Sequence, residues 1–168
     1  MTALAVDFRF ARASDAADLA DVYAEAWREA YSGIIPSVTL QRMIAGRGAP
    51  WWRQAMKHRN VVVVEASGKV VGYATFSAAR TAVQVPTAEI HELYLHPLYQ
   101  GIGIGGRFFA ALLKTLGARG FRRTVLRALA DNDRARDFYT RRGGAVFARS
   151  DDPLGPVRLP CLWFQFPL

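Results

Sequence analysis

Seven consecutive residues in the second half of the chain are the first candidates for chemistry: Gln100-Gly101-Ile102-Gly103-Ile104-Gly105-Gly106. Glycines at such a place remove the Cβ atoms that keep a ligand from the backbone, and they tolerate positive φ. The segment runs from an expected strand into an expected helix. The N–H groups of the helix start can then face an anion, with the helix dipole behind them. Arg107 adds a full positive charge beside them. A glycine-rich turn without a ligand is the plain alternative, and four glycines in six residues argue against it. A P-loop needs Gly-Lys-Ser/Thr, whereas this chain has Gly105-Gly106-Arg107. A dinucleotide fingerprint follows the first strand of a parallel sheet and has an acid about 20 residues on. Here that region reads Arg119-Gly120-Phe121-Arg122, so both nucleotide readings fail on context.

Gln100-x-x-Gly103-x-Gly105 resembles the Gln/Arg-x-x-Gly-x-Gly/Ala motif of the GNAT superfamily of N-acetyltransferases. The likeness extends upstream through Glu92-Leu93-Tyr94-Leu95-His96-Pro97. Downstream, Asn132-x-x-Ala135-x-x-Phe138-Tyr139-x-x-x-Gly143 is similar to the superfamily's second cofactor motif. Near the N-terminus, Trp27-x-x-x-Tyr31-x-Gly33-Ile34-x-Pro36 is similar to many small bacterial members. One departure is Gly143-Gly144-Ala145, where the superfamily usually has Gly-Phe.

The resemblance implies acetyl-coenzyme A as co-substrate and no metal. The pyrophosphate would rest on Gln100, Gly101, Ile102, Gly103, Ile104, Gly105 and Gly106. The backbone of Leu93, Tyr94 and Leu95 would pair with the pantetheine arm, with the Leu95 N–H as oxyanion donor. Asn132, Ala135, Phe138 and Tyr139 would complete the cofactor site, although Asn132 could equally cap the helix after it. The implied fold is a mixed α/β domain. Its mostly antiparallel twisted sheet has about seven strands flanked by helices, and a splayed parallel pair forms the cofactor cleft.

Acyl transfer to an amine sets two further needs. An amine with a pKa of about 10 is protonated at neutral pH and must lose that proton before it attacks. The departing thiolate benefits from a proton donor. The resemblance places Tyr139 beside the cofactor sulfur as that donor; packing beside Phe138 is its ordinary alternative. For the base, alternation along Thr87–Leu95 puts Glu89 and His91 on one face and Glu92 on the other. Superfamily members with a known base tend to carry Glu or His at the positions matching Glu89 and His91, so the resemblance favours Glu89, with His91 second. A β-bulge would promote Glu92. Trp27 and Tyr31 would border the acceptor pocket, with core packing the commoner explanation for a tryptophan.

These residues need elements to hold them. Phe8–Ala11 reads as a strand and Ser14 as the N-cap of a helix ending near Ser32-Gly33. Leu19, Val22, Tyr23, Ala26 and Ala30 recur at helical spacing within it. Residues 37–45 and 51–57 read as two shorter helices. Residues 60–66 and 70–79 flank Ser67-Gly68-Lys69 as a hairpin, and 87–95 is the next strand. A helix over 105–119 follows, then a strand over 124–129, a helix over 134–142, and strands over 145–149 and 159–166. The turn-rich Asp151–Pro156 joins these last two strands. No repeat or linker interrupts the series, so residues 1–168 read as one domain.

The 168 residues suffice for a core without staples. No apolar run reaches the roughly 20 residues of a membrane helix, no signal-peptide pattern opens the chain, and Cys161 is the single cysteine. A cytoplasmic protein with no membrane partner is the expectation. The formal net charge is +8, and residues 117–150 hold nine arginines against three aspartates. Such an excess suits a phosphate-bearing ligand or a solvated face. No aromatic interleaving or reading motif supports nucleic acid. A homodimer is left open, the amine acceptor is not encoded, and His58 and His96 are too isolated for a metal. The rival from another class is a non-catalytic acyl-coenzyme A sensor or partner-binding module.

Overall fold

The computed structural model describes residues 4–80 and 84–168. Strand β1 (Val6–Phe10) leads into helix α1 (Ala16–Tyr31), followed by α2 (Ser37–Ala45) and α3 (Ala49–Ala55). Then come β2 (Asn60–Ala66), β3 (Lys69–Ala78), β4 (Thr87–Leu95) and α4 (Ile104–Ala118). The chain closes with β5 (Arg123–Leu129), α5 (Asp133–Arg141), β6 (Ala145–Leu154) and β7 (Val157–Pro167). The seven strands form one sheet in the order β1-β2-β3-β4-β5-β7-β6. A parallel ladder pairs Thr87, Ala88 and Glu89 of β4 with Arg123, Thr124 and Val125 of β5. Mixed α/β architecture with a mostly antiparallel sheet is therefore what the chain adopts.

Two compact units divide the chain: Met1–Phe76 with Glu92–Leu112, and Ser77–His91 with Leu113–Leu168. In the first, Leu19, Val22, Tyr23 and Ala26 are the buried stripe of α1, as their spacing requires. Trp52 and Tyr73 are fully covered, with ring centroids 4.8 Å apart. Burying a large apolar side chain of this kind stabilises by roughly 3 kcal/mol. The β2–β3 hairpin turns on Ser67 (φ 50°) and Gly68 (φ 80°), the two positive φ values that a two-residue turn matched to strand twist demands. Phe8 stacks on Phe108 at 5.9 Å and so ties α4 to β1.

The start of α1 differs from expectation. Ser14 does not cap it; a short 3-10 turn (Ala13–Asp15) precedes the helix. Asp15 turns back to accept from the Arg12 N–H at 2.7 Å and from Arg9 at 2.8 Å. A carboxylate that meets a guanidinium outcompetes a neutral hydroxyl as the local anchor. Arg9 bridges further to Glu65 of β2 at 2.7 Å.

In the second unit, β5 pairs with β7 along its whole length, and β7 with β6. The turn-rich stretch Asp151–Pro156 is mostly strand, and only Gly155-Pro156 turns. Pro153 is tolerated because β6 is the outer strand of the sheet. Asp152 is held by Arg127 at 2.9 Å and by Ser150 at 2.9 Å. Among the described residues no helix is long and apolar enough to cross a membrane.

Candidate active site

The glycine loop lies where its residues predict, between a 3-10 turn (Pro97–Tyr99) and the first turn of α4. Gly101 and Gly103 have φ of +76° and +86°, a region that L side chains resist, and a Cβ at either would meet nothing within 4 Å. Gly101 and Gly103 are thus set by backbone conformation, and the outer side at each is open. The first helical bond of α4 runs from the Arg107 N–H to the Gly103 carbonyl, so the N–H groups of Ile104, Gly105 and Gly106 have no acceptor within the helix. Gln100 fixes the loop from behind: its Nε2 donates to the Leu95 carbonyl at 3.0 Å and to Glu29 of α1 at 2.9 Å. Arg107 leans over the Phe8 ring at 5.9 Å.

Ahead of the loop, the end of β4 meets a wall of rings from α1 and β3. The Tyr94 hydroxyl is 2.9 Å from that of Tyr31, and Trp27 packs 4.7 Å from the Tyr31 ring. Trp27 itself is buried. Glu92 is fully engaged: Arg47 Nη1 donates to both of its oxygens, at 3.0 and 2.8 Å, and the Tyr73 hydroxyl donates to Oε2 at 2.8 Å. Burial pushes the Tyr73 phenol well above its ordinary pKa, and the negative charge of Glu92 pushes the same way. Burial also raises Tyr23 to about 12, against the pull of Arg47. Both phenols stay neutral at working pH.

Glu89 and His91 do share a face of β4. His91 Nδ1 lies 3.4 Å from Glu89 Oε1, and its Nε2 is 2.6 Å from Ser77 Oγ at the end of β3. A histidine held between a carboxylate and a hydroxyl has its ring orientation set from both sides. Asn132 is the N-cap of α5, its Oδ1 accepting from the Ala135 N–H at 3.1 Å. Tyr139 is buried on that helix between Phe164 (5.5 Å) and Phe166 (6.2 Å). Directly after it the helix ends: the Gly144 N–H donates to the Tyr139 carbonyl and the Gly143 N–H to that of Thr140, with Gly143 at φ +87°. This paired closure is the Schellman arrangement.

A family model described as Acetyltransferase (GNAT) family matches residues 19–144, three quarters of the chain. The chain belongs to the GNAT acetyltransferase family. It is 30% identical over 109 residues to the L-amino acid N-acyltransferase MnaT of Escherichia coli (strain K12). That alignment covers 64% of this chain and 61% of MnaT, so the match spans less than two thirds of that relative. It is 28% identical over 116 residues to the N-acetyltransferase YuaI of Bacillus subtilis (strain 168), covering 69% of this chain and 67% of that one. Among solved structures, the PaiA N-acetyltransferase of Thermoplasma acidophilum in complex with coenzyme A superposes with a TM-score of 0.77. Its identity is 17%, with 98% of this chain and 99% of that one covered. Salmonella typhimurium YncA with acetyl-CoA gives a TM-score of 0.70 at 24% identity, covering 97% and 94%.

Within this GNAT chain the Gly143-Gly144 departure has a steric cause. A Cβ on Gly144 would stand 2.6 Å from the Phe166 ring and 2.8 Å from the Tyr139 carbonyl. Phe166 of β7 fills the space that a residue after the glycine would enter. Three partners escaped sequence reasoning: Arg47, Tyr73 and Ser77. Each reaches the strand Thr87–Leu95 from another part of the chain, and no local pattern singles any of them out.

Proposed function

We propose that the protein transfers the acetyl group of acetyl-coenzyme A to a primary amine of a small molecule or peptide, by direct attack in a ternary complex. The observation that carries this reading is the loop Gln100–Gly106: two glycines at positive φ, an open outer side, and a helix start whose first N–H groups lack helical acceptors. Such a cradle fits a pyrophosphate. Leu93, Tyr94 and Leu95 would hold the pantetheine arm through their backbone, and Asn132, Ala135, Phe138 and Tyr139 would contact it from α5. When bound, acetyl-coenzyme A supplies an acyl group activated as a thioester. Tyr139 would give its proton to the departing sulfur. Glu89, or His91 held between Glu89 and Ser77, would take the proton of the incoming amine. Both oxygens of Glu92 are occupied, which favours Glu89 and His91 over it.

The family match runs through segments of both compact units, which supports reading residues 1–168 as one acetyltransferase domain. A cytoplasmic location belongs to the same proposal. The name of MnaT adds amino acids to the acceptors worth testing. The experiment is release of free thiol from acetyl-coenzyme A with a library of amines, alongside calorimetry of coenzyme A. Turnover of an amine, with binding lost in Gly103→Val, is the expected result. Binding without turnover of any amine would mark an acyl-coenzyme A sensor. Unchanged affinity in Gly103→Val would remove the loop from the site.

A further inference from the structure

Arg47 is used on one side only. Its guanidinium lies over two rings, Tyr23 at 4.8 Å and Trp51 at 4.5 Å, which fix its position. Nη1 alone serves Glu92, meeting both carboxylate oxygens. A guanidinium has five N–H donors, and Nη1 carries two of them. The Nε hydrogen and both Nη2 hydrogens donate to nothing among the described residues. The side chain is a quarter exposed, so it is neither sealed in the core nor free in solvent. Burial opposes its charge and Glu92 supports it, and on balance Arg47 is held protonated more firmly than usual.

A structural tie between β4 and the turn after α2 would need only the Glu92 half of this geometry. The remaining donors form a planar edge of the kind that matches a carboxylate. The surroundings are aromatic, with Tyr23 and Trp51 on the guanidinium, Tyr94 farther along the strand, and Trp27 and Tyr31 of α1 against Tyr94. Glu92 precedes Leu95 by three residues, about 10 Å of extended strand. Arg47 therefore stands within a small molecule's length of the backbone assigned above to the pantetheine arm. Because Arg47 and Glu92 cancel in charge, this wall attracts no polycation, and its open edge repels one.

We infer that Arg47 is a specificity-determining residue and that the acceptor is a primary amine bearing a carboxylate, an amino acid rather than a polyamine or a simple amine. The inference rests on the acetyltransferase reading above and narrows it. Glu92 and Tyr73 are then positioning residues, which hold the guanidinium so that its free edge faces the acceptor.

The test uses matched pairs as acceptors: L-phenylalanine with its amide, L-methionine with its amide, β-alanine with its amide, plus spermidine and phosphoethanolamine. In the wild-type chain the acids should exceed their amides in kcat/KM by about 10-fold to 100-fold, the range of a charge-assisted pair. Arg47→Gln should erase that preference through KM with kcat nearly unchanged, the pattern of lost ground-state binding. Arg47→Lys should restore it only in part and carries the test if Arg47→Gln fails to fold. Amides or spermidine used as well as the acids would overturn the inference, as would preference for phosphoethanolamine over β-alanine. So would an acid preference that survives both substitutions, or failure of every acid to react while coenzyme A binds. Failure of coenzyme A to bind the wild-type chain would instead sink the acetyltransferase reading itself.

Discussion

Tyr139, the proposed general acid, is also a packing residue. It is buried between Phe164 and Phe166, so its ring is held whether or not its hydroxyl reacts. Tyr139→Phe keeps the ring and removes only the proton. As general acid, its loss should lower kcat and kcat/KM together by about 100-fold to 10,000-fold, with coenzyme A affinity little changed. Wild-type kcat in that variant, measured where chemistry limits turnover, would leave water as the proton source. Glu89→Gln should behave differently, with activity recovering partly at high pH as free amine becomes available. Cys161 is the opposite case, a reactive group with no task. Burial pushes its thiol to about 11, with Asp152 acting in the same direction, so little of it is thiolate at neutral pH.

At the level of elements, a glycine just past one helix and a glycine inside another make opposite demands. Gly143 closes α5 at φ +87°, where alanine is strained. Gly117 lies in α4 without positive φ, and a Cβ there would meet nothing within 4 Å. Gly143→Ala should cost about 1 kcal/mol and lower Tm by roughly 2–4 °C. Gly117→Ala should raise stability by about 0.5–1 kcal/mol by restricting the unfolded chain. Thermal melts of both variants decide this, and shifts of the same sign would refute it. Local spacing was enough for α2, β2 and β4, whose bounds match their sequence reading to the residue. It was not enough for β6 and β7. Asp151, Asp152 and Pro153 look like a turn, but Arg127 holds Asp152 from another strand, and no local pattern carries that. The glycine loop was legible because its chemistry is continuous in sequence. Arg47 and Glu92 are 45 residues apart, and only the fold brings them together.

For the molecule as a whole, the arginine excess is less free than its count suggests. Arg127 pairs with Asp152, Arg136 with Asp133, and Arg142 lies over the Phe138 ring at 3.6 Å. The same pairing shapes stability against acid. Burial works against the Asp15 carboxylate, yet Arg9 and the Arg12 N–H hold it below the ordinary aspartate range; Asp152 is likewise lowered despite burial, through Ser150 and Arg127. A depressed folded pKa means stability that is complete above the unfolded value, about pH 3.9, and is lost as pH falls through the folded one. Asp15→Asn should therefore be less stable than wild type at pH 7, and the gap should close below about pH 4. Denaturant titrations across that interval measure it, and a gap independent of pH would count against the Arg9–Asp15 pair. Phe166 carries a consequence of another kind. Its ring takes the space beside Tyr139 that Gly144 leaves open, although the two residues are 22 positions apart. Neither position can drift alone: a larger residue at 144 collides, and a smaller one at 166 leaves a hole. Trimming Phe166 would not by itself open position 144 to a side chain, because the Tyr139 carbonyl would still stand 2.8 Å from a Cβ there; backbone and ring together reserve the place for glycine.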